Sequence, residues 1–270
     1  MPSIKLMDLN IWNYNAPWPR RRDLIVAELK REQPDVICLQ ETRSDFRHNE
    51  GGRNQARQFA ERLGCHYVYQ RGMLYCPPPL RVEEGVSILS RHPILEWNSR
   101  PLPRTSDPAD RHQRVLLRAT IATPLGPMRF FCTHWSLAER TRLEQAPVVW
   151  GAVSAVRGDL PTFLCGDFNA TPDSREIRFL TGRAELNGRS GDLVDVWQAL
   201  RPGEAGSTFP LPDGGGVRID YVFAVAGRDD PARWLRSIDL AFTAMDESGV
   251  RASDHFGLRV IISPPDGGND

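Results

Sequence analysis

Short apolar runs alternate with amphipathic stretches along most of this chain. Residues 3–11 space Ile4, Leu6, Leu9 and Ile11 as a strand does and predict a first strand ending in Asn10-Ile11-Trp12-Asn13. Residues 18–32 carry Leu24, Ile25 and Leu29 on one face with charges opposite, an amphipathic helix broken by Pro34-Asp35. Residues 36–39 are continuously apolar, as in a strand buried on both faces, and deliver Gln40 and Glu41. A second helix is expected over 53–63, stopped by Gly64. A strand over 66–70, a loop over 72–84 around Pro77-Pro78-Pro79 and a strand over 85–90 follow. Residues 99–114, rich in Pro, Asp and Arg, read as a long surface loop. Residues 115–121 and 128–133 read as a hairpin whose second strand delivers His134. A helix over 139–157, interrupted at Pro147, precedes a strand that starts at Thr162. Short helices near 174–181 and 192–200, a Gly/Pro loop over 202–216 and strands over 217–226, 235–243 and 256–263 complete the pattern. Strands outnumber helices and no linker-like shift divides the chain. The expectation is one α/β domain over 1–265, two mixed sheets packed face to face with helices outside, and a disordered tail over 266–270.

Composition narrows the partners. Lys+Arg and Asp+Glu both number 34, so no global cationic field draws the protein to nucleic acid or to an anionic membrane. Lys5 and Lys30 are the only lysines. The five cysteines contain no CxxC pair, which argues against a structural zinc site, and Cys38, Cys132 and Cys165 lie in apolar runs where thiols act as small hydrophobes. Their odd number and scatter suggest a reducing compartment, and with no long apolar run the expected setting is the cytoplasm, as a monomer.

Candidate chemistry gathers at predicted strand ends: Asn10, Glu41, His134, Asp167, Asn169, Asp220, Asp254 and His255. The stretch TFLCGDFNATP is the most informative. Its strand stops at Gly166 and puts out Asp167 and Asn169, two residues apart and able to face one side. Asp167 is suited to take a proton from a nucleophile and Asn169 to donate to a developing oxyanion, although a strand followed by an Asx turn has the same composition. Carboxylates suit a hard divalent cation that keeps several waters. Arg218 and Trp135, neighbours of Asp220 and His134, either line the substrate site or pack structurally.

The segments LNIWN, LQE, GVSILSR, THW, GDFNATP, RIDYVF and SDHFG, in this order, resemble the endonuclease/exonuclease/phosphatase superfamily over nearly the whole chain. The resemblance implies a four-layer α/β sandwich and cleavage of phosphoester bonds with Mg2+, or Mn2+ in its place. It implies Glu41 as the principal metal-binding glutamate, Asn10 beside it holding metal or phosphate, and Asp254 as an acid near the metal. It further implies Asp167 as the group that activates water, Asn169 as its phosphate-orienting partner, and His255, oriented by Asp220, as the histidine on the scissile phosphate. His134 matches the branches that carry histidine rather than tyrosine, and Glu84 is expected to pair with it. The charge balance favours a small or non-duplex phosphodiester over duplex nucleic acid. A DNA endonuclease or exonuclease of the apurinic or deoxyribonuclease type is the alternative, and a non-catalytic binding module on the same fold is the alternative of another class.

Overall fold

The structure is a computed structural model that describes residues 2–158, 160–225 and 231–264. The elements are, in order, β1 (Ile4–Asn10), α1 (Trp18–Glu32), β2 (Val36–Asp45), α2 (Gln55–Leu63), β3 (His66–Cys76), β4 (Val82–Ser90), β5 (Ile94–Pro101), β6 (Val115–Thr123) and β7 (Gly126–His134). They continue with α3 (Glu139–Ser154), β8 (Thr162–Asp167), α4 (Arg175–Leu180), β9 (Val194–Asp195), α5 (Val196–Leu200), β10 (Phe209–Pro210), β11 (Gly216–Val217), β12 (Asp220–Val225), a 3-10 turn (Pro231–Trp234), β13 (Leu235–Ala241) and β14 (Gly257–Ile262). Two six-stranded sheets form, in the orders β13-β14-β1-β2-β4-β3 and β5-β6-β7-β8-β12-β9, with β10 and β11 as a separate ribbon. Each sheet has one parallel pair at its centre, β1 with β2 and β7 with β8, and the other pairings are antiparallel.

Three apolar layers follow from the period of two along each strand. Leu6, Cys38, Val86 and Ile88 point inward from the first sheet and meet Leu117, Phe130, Cys132, Phe163, Cys165 and Val222 from the second. Their neighbours point outward: Met7, Leu9, Ile37 and Leu89 pack under Ile25 and Leu29 of α1 and Phe59 of α2. On the other side Phe131, Leu164 and Phe223 pack under Val149 and Val153 of α3 and Ile177 and Phe179 of α4. The result is the expected four-layer α/β sandwich. Among the described residues no helix is long and apolar enough to cross a membrane.

Several expectations need correction. β3 runs on to Cys76 and β4 begins at Val82, so the loop between them covers 77–81 only. Part of the supposed 99–114 loop belongs to β5, an edge strand whose Leu95 and Trp97 are more than half exposed and so lack the alternation of a half-buried strand. α3 continues through Pro147, held by the burial of Ala146, Val149 and Val153 against the second sheet. The expected tail, 266–270, and Ala226 lie outside the described residues.

Candidate active site

The C-terminal ends of the parallel strands and the N-terminal starts of β12 and β14 meet at one edge of the sandwich. β1 closes on Asn10, and the chain then turns through Trp12 and Asn13 with left-handed backbone, φ 53° and 36°. β2 shifts register between Leu39 and Thr42, and Glu41 sits in the left-handed region at φ 53°. A bulge re-aims a side chain. Here Glu41 accepts from Asn10 Nδ2 at Oε1 (3.2 Å) and from Asn13 Nδ2 at Oε2 (2.9 Å).

β8 ends on Asp167. Gly166 before it has φ 146°, and a Cβ there would come within 2.1 Å of the Thr133 carbonyl oxygen, so only glycine lets β7 and β8 close beside the site. Asp167 Oδ2 accepts from Asn10 Nδ2 (2.9 Å) and Oδ1 from the Asn169 backbone N–H (2.8 Å). Phe168 between them turns into the outer core against Trp135. Asn169, at φ 49°, donates one amide hydrogen to the Trp135 carbonyl (3.0 Å).

β12 begins with Asp220, the register partner of Asp167. Thr208 Oγ1 accepts from the N–H groups of Ile219 and Asp220, each at 3.1 Å, and fixes this start. Asp220 Oδ2 meets His255 Nδ1 at 2.9 Å. The other ring nitrogen, Nε2, then lies 3.5 Å from Asn10 Nδ2 and 3.8 Å from Asp167 Oδ2. Phe209 stands edge-on to the His255 ring with centroids 4.9 Å apart. Ser253 Oγ donates to the Asn10 carbonyl (2.6 Å) and ties the Ser253-Asp254-His255 turn to β1.

Burial sorts the charges. Burial opposes the His255 charge, but Asp220, Asp167 and Asp254 outweigh it and raise the imidazolium pKa to about 10. Burial, with the Asp220 charge, raises Asp167 above the usual carboxylate range. His134 goes the other way: burial lowers its pKa, and the charges of Arg114 and His255 add to that. Its Nε2 lies 3.5 Å from Asp167 Oδ2, and its Nδ1 is buried without a partner. Asp167 therefore lies between a histidine whose surroundings favour the charged form and one whose surroundings oppose it.

A divalent cation fits the Glu41 end of this cluster. Among the described residues neither Glu41 nor Asp254 has an ion-pair partner, although burial and, after the opposing charge of His255, the charge of Glu41 both raise the Asp254 carboxyl. Arg21 is the nearby cation, but its guanidinium donates to the backbone carbonyls of Ile11, Trp12, Asn15 and Ala252 instead. Glu41, Asp254 and Asn10 Oδ1 offer oxygen donors, the chemistry hard cations take.

The structure brings together Asn10, Glu41, His134, Asp167, Asn169, Asp220 and His255, and overturns three other placements. Trp135 is 0% exposed and packs on Phe168, so it does not line the site; it contributes its backbone carbonyl to Asn169. Arg218 forks onto Asp195 with two bonds of 2.9 Å and lies over Tyr221, buried and spoken for. Glu84 does not pair with His134: it takes Arg43 at 2.7 Å, its cross-strand register partner on β2, and burial with the Glu41 charge raises its pKa to about 7. Asn13, Thr208, Phe209 and Ser253 were not anticipated. Asn13 had a signal, a second asparagine three residues after Asn10 where left-handed backbone favours that residue; the others act through contacts far apart in sequence.

An α/β sandwich with an acid–amide cluster at the ends of its two central parallel pairs, and an Asp–His pair at the starts of the antiparallel strands beside them, defines a known architectural class. The chain matches the Endonuclease/Exonuclease/phosphatase family over residues 9–255 and belongs to it. It is 29% identical over 185 residues to protein angel homolog 2 of Danio rerio, covering 62% of this chain and 30% of that protein. It is also 29% identical over 168 residues to nocturnin of Drosophila melanogaster, covering 57% of this chain and 24% of that protein. The chain thus spans a third or less of the length of these two curated relatives. A solved endonuclease/exonuclease/phosphatase from Beutenbergia cavernae DSM 12333 superposes over 98% of this chain and 72% of its own with a TM-score of 0.73 at 23% identity, a likeness of fold.

Proposed function

We propose that this chain hydrolyses phosphodiester bonds by in-line attack of water on phosphorus, using a divalent cation, magnesium or manganese, held by Glu41, Asp254 and Asn10. The observation that carries this reading is the Asn10 amide. It donates at once to Glu41 and Asp167 and stands beside His255, so one side chain aligns a cation-holding acid, a proton acceptor and a phosphate-facing imidazole. Asp167, with its pKa raised toward neutrality, takes the proton of the attacking water. His255, kept charged by Asp220, donates through Nε2 to a non-bridging oxygen, and the free amide hydrogen of Asn169 does the same. The bound cation supplies charge neutralisation of the phosphate oxygens and of the leaving group.

Family membership supports the reaction class. The charge balance and the locking of Arg114 to Asp110 support a small or unpaired diester over a duplex. The five free thiols support a reducing compartment, the cytoplasm in this reading, and the enzyme acts as a monomer.

The test compares p-nitrophenyl mono- and diesters with magnesium, with manganese and in excess chelator, alongside Glu41→Gln and a calorimetric metal titration. The expected result is diesterase activity lost in chelator, with metal binding and activity both weakened in a folded Glu41→Gln. Full activity in chelator, or a monoester hydrolysed faster than any diester, overturns the proposal.

A further inference from the structure

The layer between the sheets is apolar except at one place. Asp8 and Cys38 are register partners on β1 and β2, and Cys132 and Cys165 are register partners on β7 and β8. Each pair comes from the parallel pair of its sheet, and all four residues are 0% exposed. The donor atoms of Asp8, Cys38 and Cys165 lie within 4.8 Å of one another. Cys38, Cys132 and Cys165 lie together in the buried layer between the sheets. Two candidate donors thus arrive from each sheet: three of them already converge, and Cys132, the register partner of Cys165, stands beside that group.

Hydrophobic packing explains the thiols but not the carboxylate. Asp8 Oδ1 accepts from Gln40 Nε2 at 2.8 Å, while Oδ2 is buried without a partner. A buried oxygen of that kind is costly and calls for a ligand or a proton. Gln40 Nε2 also lies 3.4 Å from Cys132 Sγ, so one amide supports both a carboxylate and a sulfur donor from outside, the usual outer support of a metal site.

We propose that Asp8, Cys38, Cys132 and Cys165 form a second, structural cation site, distinct from the site at Glu41, that takes zinc. Zinc–sulfur bonds of about 2.3 Å set tetrahedral donor atoms roughly 3.5–4 Å apart, a modest contraction of the Asp8, Cys38 and Cys165 donors, and Cys132 completes the set by turning in from the Leu39 carbonyl. Thiolates select zinc over magnesium, whereas the oxygen donors around Glu41 do the reverse, so the two sites sort their metals. Binding replaces the three thiol protons, which pass to the solvent, and it gives up the long Cys132 Sγ contact to the Leu39 carbonyl at 3.7 Å. The site is closed to solvent, so the ion enters as the chain folds, and it then links one sheet to the other.

The test is made on the full chain expressed in zinc- or cobalt-supplemented medium and dialysed against chelator. The expected result is close to one zinc per chain by elemental analysis. The cobalt form is expected to show strong near-ultraviolet thiolate-to-cobalt charge transfer, which an oxygen-only site at Glu41 lacks. Cys165→Ala and Asp8→Asn are expected to retain less than about a tenth of the metal, while Glu41→Gln retains it all. Wild-type protein that keeps no zinc through dialysis, or cobalt protein without charge transfer, overturns the proposal by itself, whether or not the variants fold. Metal lost from Glu41→Gln and kept in Cys165→Ala also overturns it, by assigning the ion to the catalytic carboxylates.

Discussion

At the residue scale the site depends on backbone conformations that most side chains avoid. Gly166 is the clearest case. Substituting alanine sets a methyl against the Thr133 carbonyl and holds a non-glycine residue at φ 146°, so β7 and β8 must part beside Asp167. Gly166→Ala is expected to cost about 2–4 kcal/mol in urea denaturation; a change under about 0.5 kcal/mol would mean that the strands part freely. The chemistry makes its own prediction. Asp167→Asn and His255→Ala are each expected to lower kcat by roughly two to four orders of magnitude. The double variant should fall far short of the product, because in the proposed mechanism both groups act on one transition state. Steady-state rates on a diester check this, and multiplicative losses would argue against a shared role. The residues behind these predictions were legible because acids, amides and imidazoles at strand ends have few other uses in such number. The residues that hold them were not: Thr208 and Ser253 act through bonds to Asp220 and Asn10, partners 12 and 243 positions away.

At the element scale the hydrophobic period identified α1 to its ends, because Ile25 and Leu29 repeat on one face and Pro34 stops the chain. The bulge in β2 left no such mark. Gln40 and Glu41 read as the residues after a strand, whereas β2 resumes at Thr42 and carries Arg43 to Glu84. That pairing took Glu84 away from His134. Prolines 77–79 had a similar effect, making the ends of β3 and β4 look like loop. The same scale yields a prediction about pH. Glu32 at the end of α1 bonds Lys5 of β1 and Arg259 of β14, clamping the helix to the first sheet. Burial alone would raise its pKa, but Arg259, Lys5 and Arg31 together lower it to about 2. A depressed carboxylate contributes its stability above its ordinary value and loses it as pH falls through the folded one. The clamp is thus full above about pH 4.5 and gone near pH 2. Its worth is about 1 kcal/mol or less, as for other solvent-screened pairs. Glu32→Gln is expected to be less stable than wild type at pH 6 and equal to it near pH 2. A constant difference across that range would remove the clamp from the account.

At the scale of the whole molecule, charge and topology set what the protein meets and how its site comes to exist. The chain has no net charge, and among the described residues about half of its arginines are tied to acids, as Arg43 is to Glu84, Arg114 to Asp110 and Arg218 to Asp195. A duplex binder neutralises several phosphates and loses affinity steeply with salt. The preferred diester is therefore expected to show a kcat/KM that changes less than about threefold between low and physiological salt. A duplex that outcompetes every small diester, with a steep salt loss, would shift the assignment to the nuclease branch. Topology has a further consequence. The bond from Asn10 to Asp167 joins residues 157 positions apart and spans the two sheets, and Asn10 meets His255 across 245 positions. The first sheet itself joins β1 to β14 across the length of the chain, and the site exists only once that sheet meets the second. Pairings so distant along the chain form slowly. Refolding from denaturant should then recover its far-ultraviolet circular dichroism first and, on the proposed function, its turnover later, because only docking of the two sheets brings Asn10 to Asp167. The delay between the two signals would measure that docking, and signals that rise together would mean that the sheets meet as they form.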